Sequence, residues 1–210
     1  MWAEASELGE IFAEGGYELA LVGGPVRDLL LHRRSHDLDF CTSARPEQFE
    51  PILRRWGHDG FWDMGRKFGT LGAMRRRPNG TEVQVEITTY RSDEYDPDSR
   101  KPEVSYGDSL EGDLSRRDFT VNAMALRVPD LEFVDPFGGA NDLSKRVLRT
   151  PVDPRQSFDD DPLRMMRAVR FVAQLGFGIE PETAEAICTM ADPHPKLNAA
   201  SRPEDRRNLR

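Results

Sequence analysis

The spacing of apolar and polar positions changes character along the chain, from short alternating runs in the first two thirds to helical periods in the last. Residues 3–14 carry apolar side chains at helical intervals and meet Gly15-Gly16, which predicts an amphipathic helix with a glycine end. Residues 17–22 read as a short buried strand, Gly23-Gly24 as a turn, and residues 25–31 as a helix with Pro25 in its first turn. A strand at 38–42 and a helix at 46–56 follow, with further strands expected at 70–74, 82–89, 123–128 and 132–134. From about residue 142 the pattern is helical. Its strongest segment is 160–175, where Leu163, Met166, Val169 and Val172 are expected to form the buried stripe, and 181–190 comes next.

This order predicts an α+β fold: a mixed-sheet head over residues 1–140, leading into a helical segment over 141–197. Residues 92–112, rich in Asp, Pro, Ser and Gly, are expected to form a long mobile loop. Residues 198–210 are polar, broken at Pro203 and without apolar periodicity, which predicts a disordered tail.

Composition narrows the class. The 210 residues are 38% apolar and 31% charged, as in a soluble globular protein, and no apolar run approaches the ~20 residues that span a bilayer. Met1-Trp2-Ala3-Glu4 is too acidic to open a secretory signal, so a cytoplasmic protein with no membrane partner is expected. Cys41 and Cys188 lie outside any metal or disulfide pattern and read as core residues. A net charge of -8 excludes a protein that coats nucleic acid by bulk attraction. Even so, Lys145, Arg146, Arg149, Arg155, Arg164, Arg167 and Arg170 supply a local basic stretch on which a polyanion can settle.

Candidate chemistry begins with Asp37-Leu38-Asp39. Alternate residues of a strand point the same way, so both carboxylates can enter one site while Leu38 turns to the core. Hard oxygen ligands at that separation suit Mg²⁺, alone or in a two-metal site; the alternative is a solvated strand end. Upstream, Gly23 and Gly24 between strand and helix allow close backbone approach to a phosphate, and Arg27 lies one turn inside that helix with a planar fork. Glu86, in the alternating run Val83-Gln84-Val85-Glu86-Ile87-Thr88, is a third acid that can face the same cleft or merely the solvent.

Six separated motifs carry a family resemblance: LVGGPVRDLLL at 21–31, HDLDF at 36–40, VEITTYR at 85–91, RRDFTVNAMAL at 116–126, DPFGGANDL at 135–143 and DDPLRMMRAVRFVAQLGF at 160–177. In this order the chain resembles the bacterial-type (class II) tRNA nucleotidyltransferase and poly(A) polymerase family, and 92–114 is similar to the same segment of actinobacterial CCA-adding enzymes. The resemblance implies a nucleotidyltransferase-type head, a helical neck that selects the nucleotide, and further helical domains that hold tRNA. It implies Asp37 and Asp39 as metal-binding acids, Glu86 as the third acid, and Gly23, Gly24 and Arg27 in the triphosphate-binding turn. Arg116, Arg117, Asp118 and Asn122 would contact the nucleotide's phosphates and sugar. The partners implied are the tRNA 3′ end, CTP and ATP, with Mg²⁺ as cofactor and no nucleic-acid template.

On the expected helix Asp161 and Arg164 are three residues apart and share a face, where a carboxylate and a guanidinium side by side can pair with the edge of a base. The family's motif is Glu-Asp-x-x-Arg; Asp160 stands here in place of Glu, with the same charge and a shorter reach. Given the resemblance, Arg167 joins Arg164 as a nucleotide-facing candidate. The expected activity is addition of C and A to the tRNA 3′ end with release of pyrophosphate. Poly(A) polymerase, enzymes adding only CC or only A, and a non-catalytic nucleotide- or RNA-binding fragment stay open as alternatives.

Overall fold

The computed structural model describes residues 2–33, 37–94, 103–107 and 109–191. Its centre is a seven-stranded sheet made from β1 (Leu19–Val22), β2 (Asp37–Thr42), β3 (Gly60–Trp62), β4 (Thr70–Arg76), β5 (Glu82–Thr89), β8 (Ala125–Val128) and β9 (Glu132–Val134), in the order β3-β4-β5-β2-β1-β8-β9. β2 and β5 run parallel, and every other neighbouring pair in this sheet is antiparallel. The α+β expectation is met.

One face of the sheet is packed and the other carries the chemistry. α1 (Trp2–Glu14) buries Ala5, Leu8 and Phe12 at helical spacing, and α3 (Pro46–Trp56) buries Phe49, Leu53 and Trp56. Both sets join Leu38, Phe40, Leu71, Ala73, Val83, Val85 and Ile87 in the main core. Alternation in β5 then turns Gln84 and Glu86 to the opposite face, where they stay exposed. β1 is buried on both sides: Leu19 and Leu21 join the main core, while Ala20 and Val22 join a smaller cluster with Cys41, Tyr90, Leu110 and Leu114. That is why its sequence reads as a continuous apolar run.

The same main core contains Leu143, Leu148, Ala168, Phe171 and Phe177, so the packing of the sheet continues into the helices beyond residue 140. These are α5 (Gly139–Lys145), α6 (Pro154–Asp160), α7 (Leu163–Leu175) and α8 (Pro181–Met190), with the short strands β10 (Val147–Leu148) and β11 (Gly178–Ile179) paired in parallel between them.

Several expectations are corrected. Residues 92–112 are not one irregular loop: β6 (Arg91–Glu94) pairs antiparallel with β7 (Glu103–Tyr106), and α4 (Leu110–Ser115) starts at the capping side chain of Ser109. The strand expected from 123 begins at Ala125, after a 3₁₀ turn at Thr120–Asn122. The helix expected over 160–175 begins only at Leu163: Asp160 is the last residue of α6, and an extended Asp161 before Pro162 separates the two helices.

The buried face of α7 is also the other one. Leu163, Met166, Val169 and Val172 are 41%, 59%, 58% and 36% exposed, whereas Arg164, Met165, Ala168 and Phe171 are buried. Two apolar registers compete on this helix. Phe171 meets Phe119 edge to face at 5.8 Å, and Arg164 and Arg167 find partners on the head, which seats the helix on the second register. The expected tail at 198–210 lies outside the described residues.

Candidate functional site

A cavity of about 460 Å³ opens on the uncovered face of the sheet. Gly23, Gly24, Asp39, Glu86, Arg116, Arg117, Asp118, Asn122, Asp161, Arg164 and Arg167 all line it, which brings together nearly every residue singled out in the sequence.

The first wall is the turn between β1 and α2 (Gly24–Leu30). Gly23 has φ 71° and ψ -132°, and a Cβ built there would lie 3.1 Å from an Arg117 Nη1. A side chain is therefore disfavoured both by the backbone conformation and by the arginine packed against it. Arg27 does not line the cavity. Its Nε and Nη2 donate to Asp28 Oδ1 at 2.9 and 2.8 Å, and its Nη1 donates to Asn122 Oδ1 at 2.7 Å. The guanidinium thus fixes Asn122 at the cavity wall.

The second wall is the sheet. Asp39 and Glu86 are register partners on parallel strands, and both are exposed carboxylates on the cavity side. Asp37 pairs in register with Gln84 one step earlier on the same face; its side chain lies outside the described residues. Among the described residues no three or more His, Cys, Asp or Glu side chains form a metal-holding group. The donors that are present fit a hard divalent cation, since they are oxygen ligands only and leave room for a ligand's own oxygens.

The third wall is basic, and its order comes from residues the sequence reading passed over. Asp113, fully buried on α4, accepts from Arg116 Nη2 at 3.1 Å and from Arg117 Nη2 at 2.9 Å, as well as from the Arg91 backbone N–H at 3.3 Å. Burial pushes its carboxyl up, but the charges of Arg117 and Arg116 outweigh this and hold it below the usual aspartate value. Cys41 beside this group is fully buried; burial and the Asp113 charge push its thiol well up, so it acts as a packing residue. Arg91, Thr70 and Thr88 also line the cavity: Arg91 Nη2 lies 3.3 Å from Thr70 Oγ1, and the two threonine hydroxyls are 2.9 Å apart. Thr88 and Arg91 stand in the VEITTYR motif, whereas Thr70 on β4 carries no signal beyond an ordinary strand hydroxyl.

The fourth wall joins head and helices. Asp118 Oδ1 accepts from the Phe119 N–H at 2.8 Å and from Asn122 Nδ2 at 2.9 Å, and its Oδ2 accepts from Arg167 Nε at 2.8 Å. Arg164 is buried, donating through Nη1 to Ser157 Oγ at 2.7 Å and through Nη2 to the Arg116 carbonyl at 2.5 Å. Asp161 precedes α7 instead of lying on it. Its Oδ1 accepts from the Leu163 N–H at 3.0 Å, an Asx-type turn that leads into the helix, while it still lines the cavity beside Arg164. Asp160, next in sequence, is not among the lining residues.

A mixed sheet with acids on the open face of its parallel pair thus stands opposite a glycine turn and a guanidinium wall across one cavity. Residues 19–149 match the poly A polymerase head domain, and the chain belongs to that family. It is 42% identical over 189 residues to the CCA-adding enzyme of Lactobacillus johnsonii, covering 90% of this chain and 44% of that enzyme. With the CCA-adding enzyme of Bacillus subtilis it shares 42% identity over 178 residues, covering 84% and 42%. Among solved structures, the Bacillus stearothermophilus CCA-adding enzyme in complex with CTP aligns with a TM-score of 0.78 at 37% identity, over 94% of this chain and 45% of that one. A tRNA nucleotidyltransferase complexed with a primer tRNA and an incoming ATP analog aligns with a TM-score of 0.70 at 32% identity, over 88% and 50%. The chain spans less than half the length of the curated relatives it matches. Among the described residues no helix is long and apolar enough to cross a membrane.

Proposed function

We propose that this chain carries the catalytic head (1–140) and the nucleotide-selecting helical neck (141–197) of a CCA-adding tRNA nucleotidyltransferase. The reaction is attack of the tRNA 3′-hydroxyl on the α-phosphate of CTP or ATP, with pyrophosphate leaving. The observation that carries the reading is the sharing of one cavity by the Asp39 and Glu86 carboxylates and the guanidinium wall of Arg116, Arg117, Arg164 and Arg167. Opposed charge of this kind suits a triphosphate approached by a nucleophile. The relatives' names support tRNA as the acceptor and CTP and ATP as donors, and a cytoplasmic location is proposed with them.

Asp37 and Asp39, with Glu86 beside them, would hold Mg²⁺, which when bound supplies charge neutralisation and a lowered pKa for the attacking hydroxyl. The chain's own groups do the rest. Arg116 and Arg117 face the triphosphate, held in place by Asp113. Gly23 and Gly24 let the backbone come close to it. Asn122, fixed by Arg27 and Asp118, faces the sugar. Asp161 and Arg164 offer an acceptor and a donor to the edge of the base, a pattern that suits cytosine and adenine, which both present an amino group.

The test is incubation with tRNAs ending before, within and after the terminal triplet, supplied with labelled CTP and ATP. Stepwise C, C, A addition is expected. Unlimited A addition would indicate the poly(A) polymerase alternative. Nucleotide binding without incorporation would favour a non-catalytic nucleotide- or RNA-binding fragment.

A further inference from the structure

One row of residues crosses four strands on the site face. Trp62 on β3 is the register partner of Gly72 on β4, Gly72 of Glu86 on β5, and Glu86 of Asp39 on β2. Cross-strand partners share a face, so the row runs from an edge strand straight into the carboxylate wall of the cavity. Trp62 Nε1 donates to Glu86 Oε1 at 3.3 Å. Two strand spacings separate their backbones, about 9.5 Å, and only a long side chain lying flat on the strand between can bridge them.

Gly72 makes that possible. A Cβ built there would lie 2.0 Å from Trp62 Cε2 and 2.1 Å from its Nε1, against a rigid ring that has no flexible end to move aside. The bare backbone of β4 is thus a slot occupied by the indole. The strand on either side of it is filled, with Leu71 and Ala73 buried on the opposite face. A glycine in the middle of a central strand is otherwise a weakening choice.

We propose that Trp62 is a positioning residue for Glu86. The indole N–H holds one carboxylate oxygen and fixes the side chain's rotation at the cavity wall that Glu86 lines. As a neutral donor it orders the carboxylate without cancelling the charge that a cation or an attacking hydroxyl would meet. Gly72 belongs to the device as the residue that keeps the path open. This inference rests on the proposed nucleotidyl transfer for its functional meaning, while the contact itself is testable without turnover.

The experiment uses the full chain labelled with ¹⁵N at its tryptophans, the Trp62 indole N–H signal being assigned by its loss in Trp62→Phe. That signal is expected to move in Glu86→Gln and in Gly72→Ala, and to respond to Mg²⁺ titration in the wild-type protein but not in Glu86→Gln. In CTP incorporation, Trp62→Phe is expected to lower kcat about ten-fold with KM changed less than about two-fold, and to add less than about two-fold on top of Glu86→Gln. An indole signal indifferent to Glu86→Gln overturns the proposal, as do equal, multiplying losses in the two backgrounds. A wild-type chain that incorporates nothing overturns the proposed function instead. The indole signal then decides: its movement in Glu86→Gln together with a Glu86-dependent Mg²⁺ response supports the positioning role, and the absence of either overturns it.

Discussion

Asp113 and Arg117 form an ion pair of 2.9 Å beneath the floor of the cavity, with the aspartate wholly withdrawn from solvent and its second oxygen accepting from Arg116 at 3.1 Å. One buried anion therefore sets the direction of two consecutive cations. Removing it in Asp113→Ala takes away the buried acceptor shared by two guanidiniums, and a loss of about 3 kcal/mol in unfolding free energy is expected. Urea denaturation checks this; a loss below about 1 kcal/mol would show that the arginines find water instead.

The same pair predicts a pH dependence. The folded-state carboxyl of Asp113 is held below the unfolded value of 3.8, so its contribution to stability is fully present above that value and is lost as pH falls through the folded pKa. Thermal melts of the wild type and Asp113→Asn are expected to converge below pH ~4. Curves that stay parallel down to pH 2 would remove Asp113 from the acid response.

Gly23→Ala places a methyl group where φ is 71° and an Arg117 nitrogen is 3.1 Å away. A stability loss of about 1–3 kcal/mol is expected from the backbone alone. Displacement of Arg117 is expected to raise KM for both CTP and ATP together. A selective effect on one nucleotide would contradict its place in the turn.

Asp39→Ala is expected to abolish incorporation while leaving the melting curve nearly unchanged, because the carboxylate is exposed on the open face of the sheet. Arg164→Ala should behave differently. It is expected to relax the choice among the four nucleotides and also to cost about 1–3 kcal/mol, since Ser157 and the Arg116 carbonyl lose a buried donor. Competition among labelled nucleotides and parallel melts separate the two variants; unchanged selectivity in Arg164→Ala would refute its base-reading role.

Met166 and Val169 are 59% and 58% exposed on α7, so Met166→Glu and Val169→Glu are expected to alter stability by less than about 0.5 kcal/mol and to reduce light scattering at high concentration. Unfolding of either variant would mean that this face is covered in solution.

The legible part of this protein is the part governed by short-range rules. Alternation in Val83-Gln84-Val85-Glu86-Ile87-Thr88 gave both β5 and the direction of Glu86, and the helix at Pro46–Trp56 was marked at its start by proline. Gly23-Gly24 marked the turn that positive φ requires. The motifs resembling a known family pointed to residues 70 or more positions apart, such as Gly23 and Arg117, that the structure brings to one cavity.

Other features depended on packing between distant segments. Two apolar registers on α7 are equally good helices in isolation, and contact with Phe119, Asp118 and the Arg116 carbonyl selects between them. Asp113 and Trp62 carry no local signal at all: a carboxylate in a polar helix and an aromatic on a three-residue strand are ordinary until the fold puts Arg116 and Arg117 on one and Glu86 across a bare glycine from the other. The sequence by itself determined which groups were available and which way most strands and helices face, because those depend on periods of two and 3.6 residues. Tertiary structure alone decided which of those groups are buried, paired or left open to a ligand, because burial and pairing are properties of surfaces that meet only once the chain has folded.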